Sequence, residues 1–301
     1  MHAHSEAFIQ IVSPASGEAQ AINDQRLAEL ARDGMQVRYQ RLSVDPLWPF
    51  TAGTVQARLD QLLKALRDSS VSILLASRGG YGASDLLDHI PWNELKNLKP
   101  RPIVGFSDIS ALHSAFFTQL AWPGIHGPMP ATEFWGQHGR DDVEALIALM
   151  QGHSPAISLP LFFLGRGLAP SIRGWGFGGC LSVLTNLIGT PYFPPSLDGA
   201  LVYWEDIGEN PARILRFATQ WLQSGALRGV KGLVLGRFVG CEVRDSYSEN
   251  QLRHQLASRI GLPVWFSPSF GHCSPNWPLP IGRTLRIEGE RLSWDLDTLH
   301  G

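Results

Sequence analysis

Two adjacent polar residues, Ser107 and Asp108, follow the apolar stretch PIVGF at the point where a helical pattern begins. A serine at a tight strand-to-helix turn can hold its hydroxyl clear of the sheet, close to backbone N–H groups that stabilise an oxyanion. Such a serine is a nucleophile for acyl transfer. An ordinary helix cap is the alternative, and spacing alone favours it, because Ile109 stands where G-x-S-x-G has its second glycine.

A serine nucleophile needs a general base, and two histidines are candidates. His126 in GIHGP and His272 in FGHCSPN both lie in glycine-flanked loops after apolar runs. His113 falls about two helical turns beyond Ser107, too far along the helix axis to reach its hydroxyl. A loop histidine is more often a structural hydrogen-bonding group than a base, and sequence spacing does not choose between His126 and His272.

The base in turn needs an acid, and the segment LVYWEDIGENP supplies candidates. Its apolar strand pattern ends abruptly in Glu205 and Asp206, with Glu209 shortly after. A solvated strand end is the alternative interpretation. No H-x-x-x-H or H-x-H pair accompanies these carboxylates, so the sequence predicts no metal site there.

The segment SRGGYGASD also follows an apolar strand pattern and carries three glycines. Glycines let a backbone approach a ligand closely and direct N–H groups at an anion, although a plain strand-to-helix turn is the commoner role of one glycine-rich loop. Neither the Walker lysine nor the G-x-G-x-x-G spacing is present. Arg78 beside these glycines could bind a carboxylate through two hydrogen bonds, or it could face solvent.

Alternating strand and helix patterns position these loops. TVQARLDQLLKALRD places its apolar residues on one helical face, and the apolar runs AFIQIVS, VSILLAS and PIVGF lie between helical segments. This alternation predicts a parallel sheet with helices on both sides. Ligands of such sheets bind outside the carboxyl ends of the strands, where the candidate residues fall.

The chain of 301 residues is expected to form two domains, residues 1–160 and residues 161–301. Residues 151–179 are crowded with glycine and proline, which we interpret as a linker or crossover. The second domain should be mixed and richer in β-structure. ALVYWEDIG and VKGLVLGRF have strand patterns, PARILRFATQWLQSG has a helical one, and TLRIEGERLSWDL has the pattern of a hairpin around Gly289 and Glu290.

The amino-acid composition limits the classes of molecule that the protein is expected to bind. The 25 Lys and Arg residues nearly balance the 27 Asp and Glu residues, which argues against nucleic acid or an anionic membrane surface as a partner. The first residues lack a signal-peptide pattern and no apolar run approaches a membrane span, so a cytoplasmic protein is expected. The three cysteines are far apart and suggest neither a disulfide framework nor a thiolate zinc site: Cys180, Cys241 and Cys273.

Six segments, in order, resemble the LD-carboxypeptidases, serine peptidases that trim murein tetrapeptides. They are RGGYG, GFSD, HGPM, GGCLSVLTNLIGTPY, WEDIGENP and FGHCSPNWPLPIG, and the similarity covers almost the whole chain. The resemblance implies that Ser107 is the nucleophile, Glu205 the acid and His272 the base, with His126 in the HGP loop instead.

The resemblance also implies a fold and a site. The expected fold is an α/β N-terminal domain with a parallel, Rossmann- or flavodoxin-like sheet, followed by a mixed C-terminal domain with a β-barrel-like sheet. The site would lie in the cleft between them, in a homodimer that needs no cofactor or metal. For the oxyanion we select the backbone N–H groups of Gly80 and Asp108. Candidate substrate contacts are Arg78 for the terminal carboxylate, and Trp204 and Trp277 because they adjoin motifs.

The expected substrate is a murein tetrapeptide from which terminal D-Ala is released. The nearest alternative is the branch of microcin immunity proteins, which hydrolyse a peptidyl-nucleotide with the same triad. Two further alternatives are a non-catalytic module that binds an anion with the RGGYG loop, and a generic esterase, which GFSD in place of G-x-S-x-G disfavours.

Overall fold

The computed structural model describes residues 8–17, 22, 24–31, 36–44, 47–153 and 157–294. His2, His4 and His300 lie outside these residues. The described strands form two sheets, one of six strands and one of eight. Within this part of the chain, no helix has the length and apolar character needed to cross a membrane.

The first sheet contains the five parallel strands that the sequence patterns predict for the first half. They are β1 (Phe8–Val12), β2 (Gln36–Tyr39), β3 (Val71–Ala76), β4 (Ile103–Gly105) and β5 (Gly124–His126). Their spatial order is β2-β1-β3-β4-β5, which is the flavodoxin-like order. The parallel α/β fold class is therefore confirmed for this half.

Helices connect these strands. They are α1 (Asp24–Leu30), α2 (Val55–Arg67), α3 (Trp92–Leu95), α4 (Ser110–Leu120) and, after β5, α5 (Asp141–Met150). The predicted amphipathic helix is α2, whose N-terminus is capped by Thr54 accepting the N–H of Ala57 at 3.2 Å. Leu62 and Leu66 of α2 are fully buried, each contributing about 1.5–3 kcal/mol through burial.

The described residues of the second half add nine strands and three helices. The strands are β6 (Ile157–Pro160), β7 (Phe162–Phe163), β8 (Ile172–Cys180), β9 (Ala200–Ile207), β10 (Gly232–Val239), β11 (Val264–Phe266), β12 (Leu279–Ile281), β13 (Thr284–Glu288) and β14 (Arg291–Trp294). The helices α6 (Leu181–Leu187), α7 (Pro211–Gln223) and α8 (Glu249–Ile260) alternate with β8, β9, β10 and β11, which are parallel. β13 and β14 form the predicted hairpin.

The second sheet nearly closes into a barrel. Its order is β6-β14-β13-β8-β9-β10-β11-β7, so β6 and β7 are its two edges. Only Leu161 separates these edge strands along the chain, which brings the two edges next to each other. The β-barrel-like sheet implied by the resemblance is therefore confirmed.

The glycine-rich stretch within residues 151–179 is only partly the irregular linker that we predicted. Residues 172–180 form β8, a central strand of the second sheet. A Cβ at Gly174 would lie 2.5 Å from the carbonyl oxygen of Gly199, and a Cβ at Gly176 would lie 2.5 Å from that of Pro280. Gly174 marks close backbone approach to the neighbouring strand β9, and Gly176 marks close approach to β12 of the first sheet, so neither is a chain break. The domain boundary near residue 160 stays a prediction.

Among the contacts that join the halves, two lie close to the candidate site. β12, from the second half, pairs antiparallel with β5 and adds a sixth strand to the first sheet. The hydroxyl of Ser110, at the start of α4, accepts the N–H of Cys180 at 3.0 Å. The ends of β4 and β8 are therefore held close together in the core.

Candidate active site

A cleft of about 420 Å³ opens at the carboxyl ends of β3, β4 and β5. The loops after these strands line it, and the second half contributes Ile207 and His272. The site therefore lies where ligands bind in open α/β sheets. It receives residues from both halves of the chain.

Ser107 directly follows β4 and lines this cleft. Its φ is +62°, a left-handed conformation that few residues other than glycine adopt. No side chain caps the 3-10 turn Ser107–Ile109 or the helix α4 that follows it, so the structure does not support the helix-cap interpretation. A strained serine at a strand-to-helix turn is the geometry of a nucleophile elbow.

Gly79 lies against Ser107, and sequence reasoning selected its neighbour Gly80 instead. A Cβ at Gly79 would lie 2.8 Å from Ser107 Cβ, 3.1 Å from Ser107 Oγ and 3.2 Å from the backbone nitrogen of Asp108. Gly79 therefore leaves open the space between the serine hydroxyl and the Asp108 N–H. Gly80 has a φ of +106° and also lines the cleft. Glycine is the residue that lets two backbone segments approach closely, and this property could have pointed to Gly79.

His272 and Glu205 form a tight buried pair. His272 Nδ1 lies 2.6 Å from Glu205 Oε2, with the two residues 7% and 0% exposed. Burial lowers the pKa of His272, but the charge and hydrogen bond of Glu205 outweigh burial and raise it overall. Burial raises the pKa of Glu205, and the charge and hydrogen bond of His272 bring it below its usual range. Because Nδ1 is engaged, Nε2 is the nitrogen available to accept a proton.

The other candidate histidine, His126, and the excluded His113 lie in different surroundings. His126 is fully buried among the rings of Phe106, Tyr203 and Phe270, and neither of its ring nitrogens has a partner within the described residues. Burial lowers the pKa of His126 to about 4. His113 Nε2 lies 2.9 Å from a backbone carbonyl oxygen, and burial lowers its pKa to about 3. Of the three, His272 is the one that pairs with a carboxylate and lines the cleft.

A buried arginine that sequence reasoning missed supports the glycine-rich segment SRGGYGASD, residues 77–85, called the glycine loop below. Arg58 of α2 is 1% exposed, and its Nη1 donates to the carbonyl oxygens of Pro14 at 2.8 Å and Gly82 at 2.5 Å. Its Nη2 lies 3.5 Å from Asp85 Oδ2. Arg58 therefore ties the loop after β1 to the loop after β3. Helical spacing placed α2 correctly but gave no signal for a charged residue on its buried face.

Asp108, the residue after Ser107, is also part of this support. Its Oδ2 accepts the backbone N–H of Ala83 at 2.8 Å. Burial raises the pKa of Asp108 to about 6. The side chain thus connects the turn after β4 to the glycine loop, while its backbone nitrogen faces Gly79.

The candidate substrate contacts differ in position. Arg78 is half-buried, lines the cleft, and donates from Nη1 to the carbonyl oxygen of Gly17 at 3.1 Å. Trp204 is 0% exposed, and its ring packs 4.9 Å from the ring of Trp221, so it has no surface free for a substrate. Trp277 is half-buried against the hydrophobic core and does not line the cleft. Of these three contacts, we retain only Arg78.

The described cysteines and acidic groups were compared with the ligand sets that metal ions need. Cys180, Cys241 and Cys273 are all free thiols. Among the described residues, no group of three or more His, Cys, Asp or Glu side chains could hold a metal ion.

Comparison of the sequence with known protein families gives two matches. The LD-carboxypeptidase N-terminal domain matches residues 9–127, and the LD-carboxypeptidase C-terminal domain matches residues 173–287. The chain belongs to the LD-carboxypeptidase family. It is therefore a carboxypeptidase by family, and the resemblance in the six sequence segments is confirmed.

Individual relatives extend over most of the chain. The murein tetrapeptide carboxypeptidase of Pseudomonas aeruginosa is 30% identical over 293 residues, which cover 95% of this chain and 94% of the relative. The structure of a muramoyltetrapeptide carboxypeptidase from Oxalobacter formigenes matches with a TM-score of 0.79 at 25% identity, covering 96% of this chain and 98% of that one. The microcin C7 self immunity protein MccF matches with a TM-score of 0.80 at 18% identity, covering 97% and 96% of the two chains, and so shares the fold.

Proposed function

We propose that this LD-carboxypeptidase family member uses Ser107, His272 and Glu205 to release terminal D-Ala from murein tetrapeptides. One observation carries the proposal. His272, joined to the buried Glu205 at 2.6 Å, lines the same cleft as Ser107, whose backbone has the strained conformation of a nucleophile elbow. The murein substrate is supported by the name of the relative from Pseudomonas aeruginosa.

The chemistry follows from these positions. His272 Nε2 accepts the hydroxyl proton as Ser107 attacks the carbonyl carbon of the scissile bond, and Glu205 orients the imidazole and stabilises its protonated form. The oxyanion is stabilised by the N–H groups of Gly80 and Asp108, in the space that Gly79 leaves open. His272 then protonates the departing amine of D-Ala. Water hydrolyses the acyl-enzyme with the same histidine as base.

A cation in the cleft would favour recognition of a free carboxyl terminus. Arg78 is half-buried in the cleft wall beside the glycine loop. Burial lowers its pKa from the usual value, because a partly buried guanidinium has lost some hydration. A substrate carboxylate would restore favourable interactions to this group through two parallel hydrogen bonds.

Mass spectrometry of a murein tetrapeptide incubated with the protein tests the function. We expect loss of one alanine, insensitive to chelators, and no loss with the Ser107→Ala variant at equal concentration. A peptidyl-nucleotide assayed in parallel distinguishes the microcin-immunity activity. An intact tetrapeptide, with a cleaved peptidyl-nucleotide or with no reaction at all, would contradict the proposal. A homodimer and a cytoplasmic location stay predictions, which sedimentation and fractionation can test.

A further inference from the structure

Two charged side chains of opposite sign flank the nucleophile. β4, which carries Ser107 at its end, lies between β3 and β5 in the first sheet. Arg78 lies in the loop after β3, and Glu133 lies in the loop after β5. Both side chains line the cleft. The strand order therefore places a cation on one side of Ser107 and an anion on the other.

Glu133 is exposed in this cleft, and no ion pair or hydrogen bond joins it to another described residue. Other acids of the described chain show what a structural role looks like. Glu29 pairs with Arg140 at 3.0 Å, and Glu249 pairs with Arg253 at 2.7 Å. Glu133 contributes no such contact to the fold, so its charge is available to a ligand.

The direction of the substrate follows from the proposed function. If Arg78 holds the carboxylate of the departing residue, that residue lies on the β3 side of Ser107. The residue that supplies the scissile carbonyl then extends toward the β5 side, where Glu133 and Phe134 line the cleft. Phe134 offers an apolar ring to the methylene stem of a long side chain, and Glu133 offers an anion to its end.

We propose that Glu133 is a specificity residue that binds a side-chain ammonium group on the residue preceding the scissile bond. This inference rests on the proposed function, since it uses the direction in which the tetrapeptide lies. The substrates it favours have an amine-bearing third residue of the lysine, ornithine or diaminopimelate type. An aliphatic third residue of the same length lacks the group that Glu133 binds.

Matched tetrapeptides with lysine or norleucine at the third position test this inference. For the unchanged protein, we expect kcat/KM to be about three- to tenfold higher for the lysine peptide, the range of a partly exposed charged hydrogen bond. Glu133→Gln keeps the shape and removes the charge, so the two peptides should become equal. The loss should fall on the lysine peptide, with the norleucine peptide cleaved as before.

Glu288→Gln is the matched control. Glu288 is the last residue of β13, and its neighbour Ile287 pairs with Ile172 at the start of β8. The cleft lies near the other end of β8, at Cys180. Nine residues of strand separate the two ends by roughly 25 Å. The control should keep the lysine preference.

Two results would overturn the inference while leaving the function intact. One is cleavage of both peptides by the unchanged protein with equal kcat/KM. The other is an equal loss on both peptides in Glu133→Gln, which would give Glu133 a different role. Failure to release D-Ala from either peptide would instead contradict the proposed function.

Discussion

The two sheets hold their candidate catalytic groups by different means. The first sheet positions Ser107 through the backbone, which has a φ of +62° at this residue. Gly79 packs so closely that an added Cβ would lie 2.8 Å from Ser107 Cβ. The second sheet positions His272 and Glu205 through side chains, with a 2.6 Å contact and nearly complete burial. The proposed nucleophile therefore depends on chain conformation, and the proposed base depends on the electrostatics of one buried pair. Substitutions in the two regions should therefore reduce activity through different physical causes.

The largest expected effect comes from removing the proposed base, which the second region holds. His272→Ala should lower kcat by about 10⁴- to 10⁶-fold with little change in folding, because a triad loses its function as a unit. His126→Ala removes a fully buried ring without a carboxylate partner, so its main effect should be lower stability. Steady-state kinetics and thermal unfolding of both variants measure this. Equal kcat losses in two folded variants would leave His272 without a distinct role.

The next effect tests the backbone region. Gly79→Ala should lower kcat by about 10²- to 10³-fold, because its Cβ would enter the space between Ser107 Oγ and the Asp108 nitrogen. Gly127→Ala is a matched control in the neighbouring loop, where the nearest atoms to an added Cβ lie at 3.5 Å, an ordinary contact. Kinetics of the two variants give the comparison. Full activity in Gly79→Ala would show that this space is not used.

The pH dependence tests the side-chain region. Glu205 raises the folded-state pKa of His272, and the base must be neutral, so kcat/KM should rise with pH with a midpoint above the ordinary value of about 6.5. Stability from the protonated pair is present below the unfolded pKa of histidine and lost as pH rises through the folded pKa. Glu205→Gln should move the kcat/KM midpoint to lower pH as well as lower kcat. An unmoved midpoint would assign the titration to another group.

The smallest effect on catalysis concerns the support of the glycine loop. Arg58→Lys keeps the buried charge but cannot reproduce both contacts to the carbonyl oxygens of Pro14 and Gly82. We expect a loss of about 1–3 kcal/mol in the free energy of unfolding and a modest fall in kcat. Arg67→Lys on the same helix has a half-exposed side chain paired with Glu94 and should change stability by less than about 0.5 kcal/mol. Denaturant unfolding compares them, and equal stabilities would leave Arg58 without a supporting role.

Local patterns predicted the elements, and the resemblance predicted the triad. The helical face of α2 and the apolar runs of β3 and β9 correspond to what formed. Residue spacing alone left His126 and His272 equal, because the difference is a carboxylate 67 positions away from His272. That contact is created by the packing of β9 and the loop before β12, which no local pattern encodes. The closeness of Gly79 to Ser107 likewise depends on the packing of the loop after β3 against the turn after β4, while the oxyanion role of the Gly80 N–H stays a prediction.

The pairing of β12 with β5 has a consequence for how the protein is made. Leu279 of β12 lies opposite His126 of β5, so the partner of that edge is synthesised about 150 residues later. At about 5–20 residues per second, the ribosome needs roughly 8–30 s to supply it. During that interval the nascent first sheet has an open edge at β5, the kind of edge that pairs with other chains. We expect chaperone dependence, or slow release into solution, to be concentrated in this period of translation.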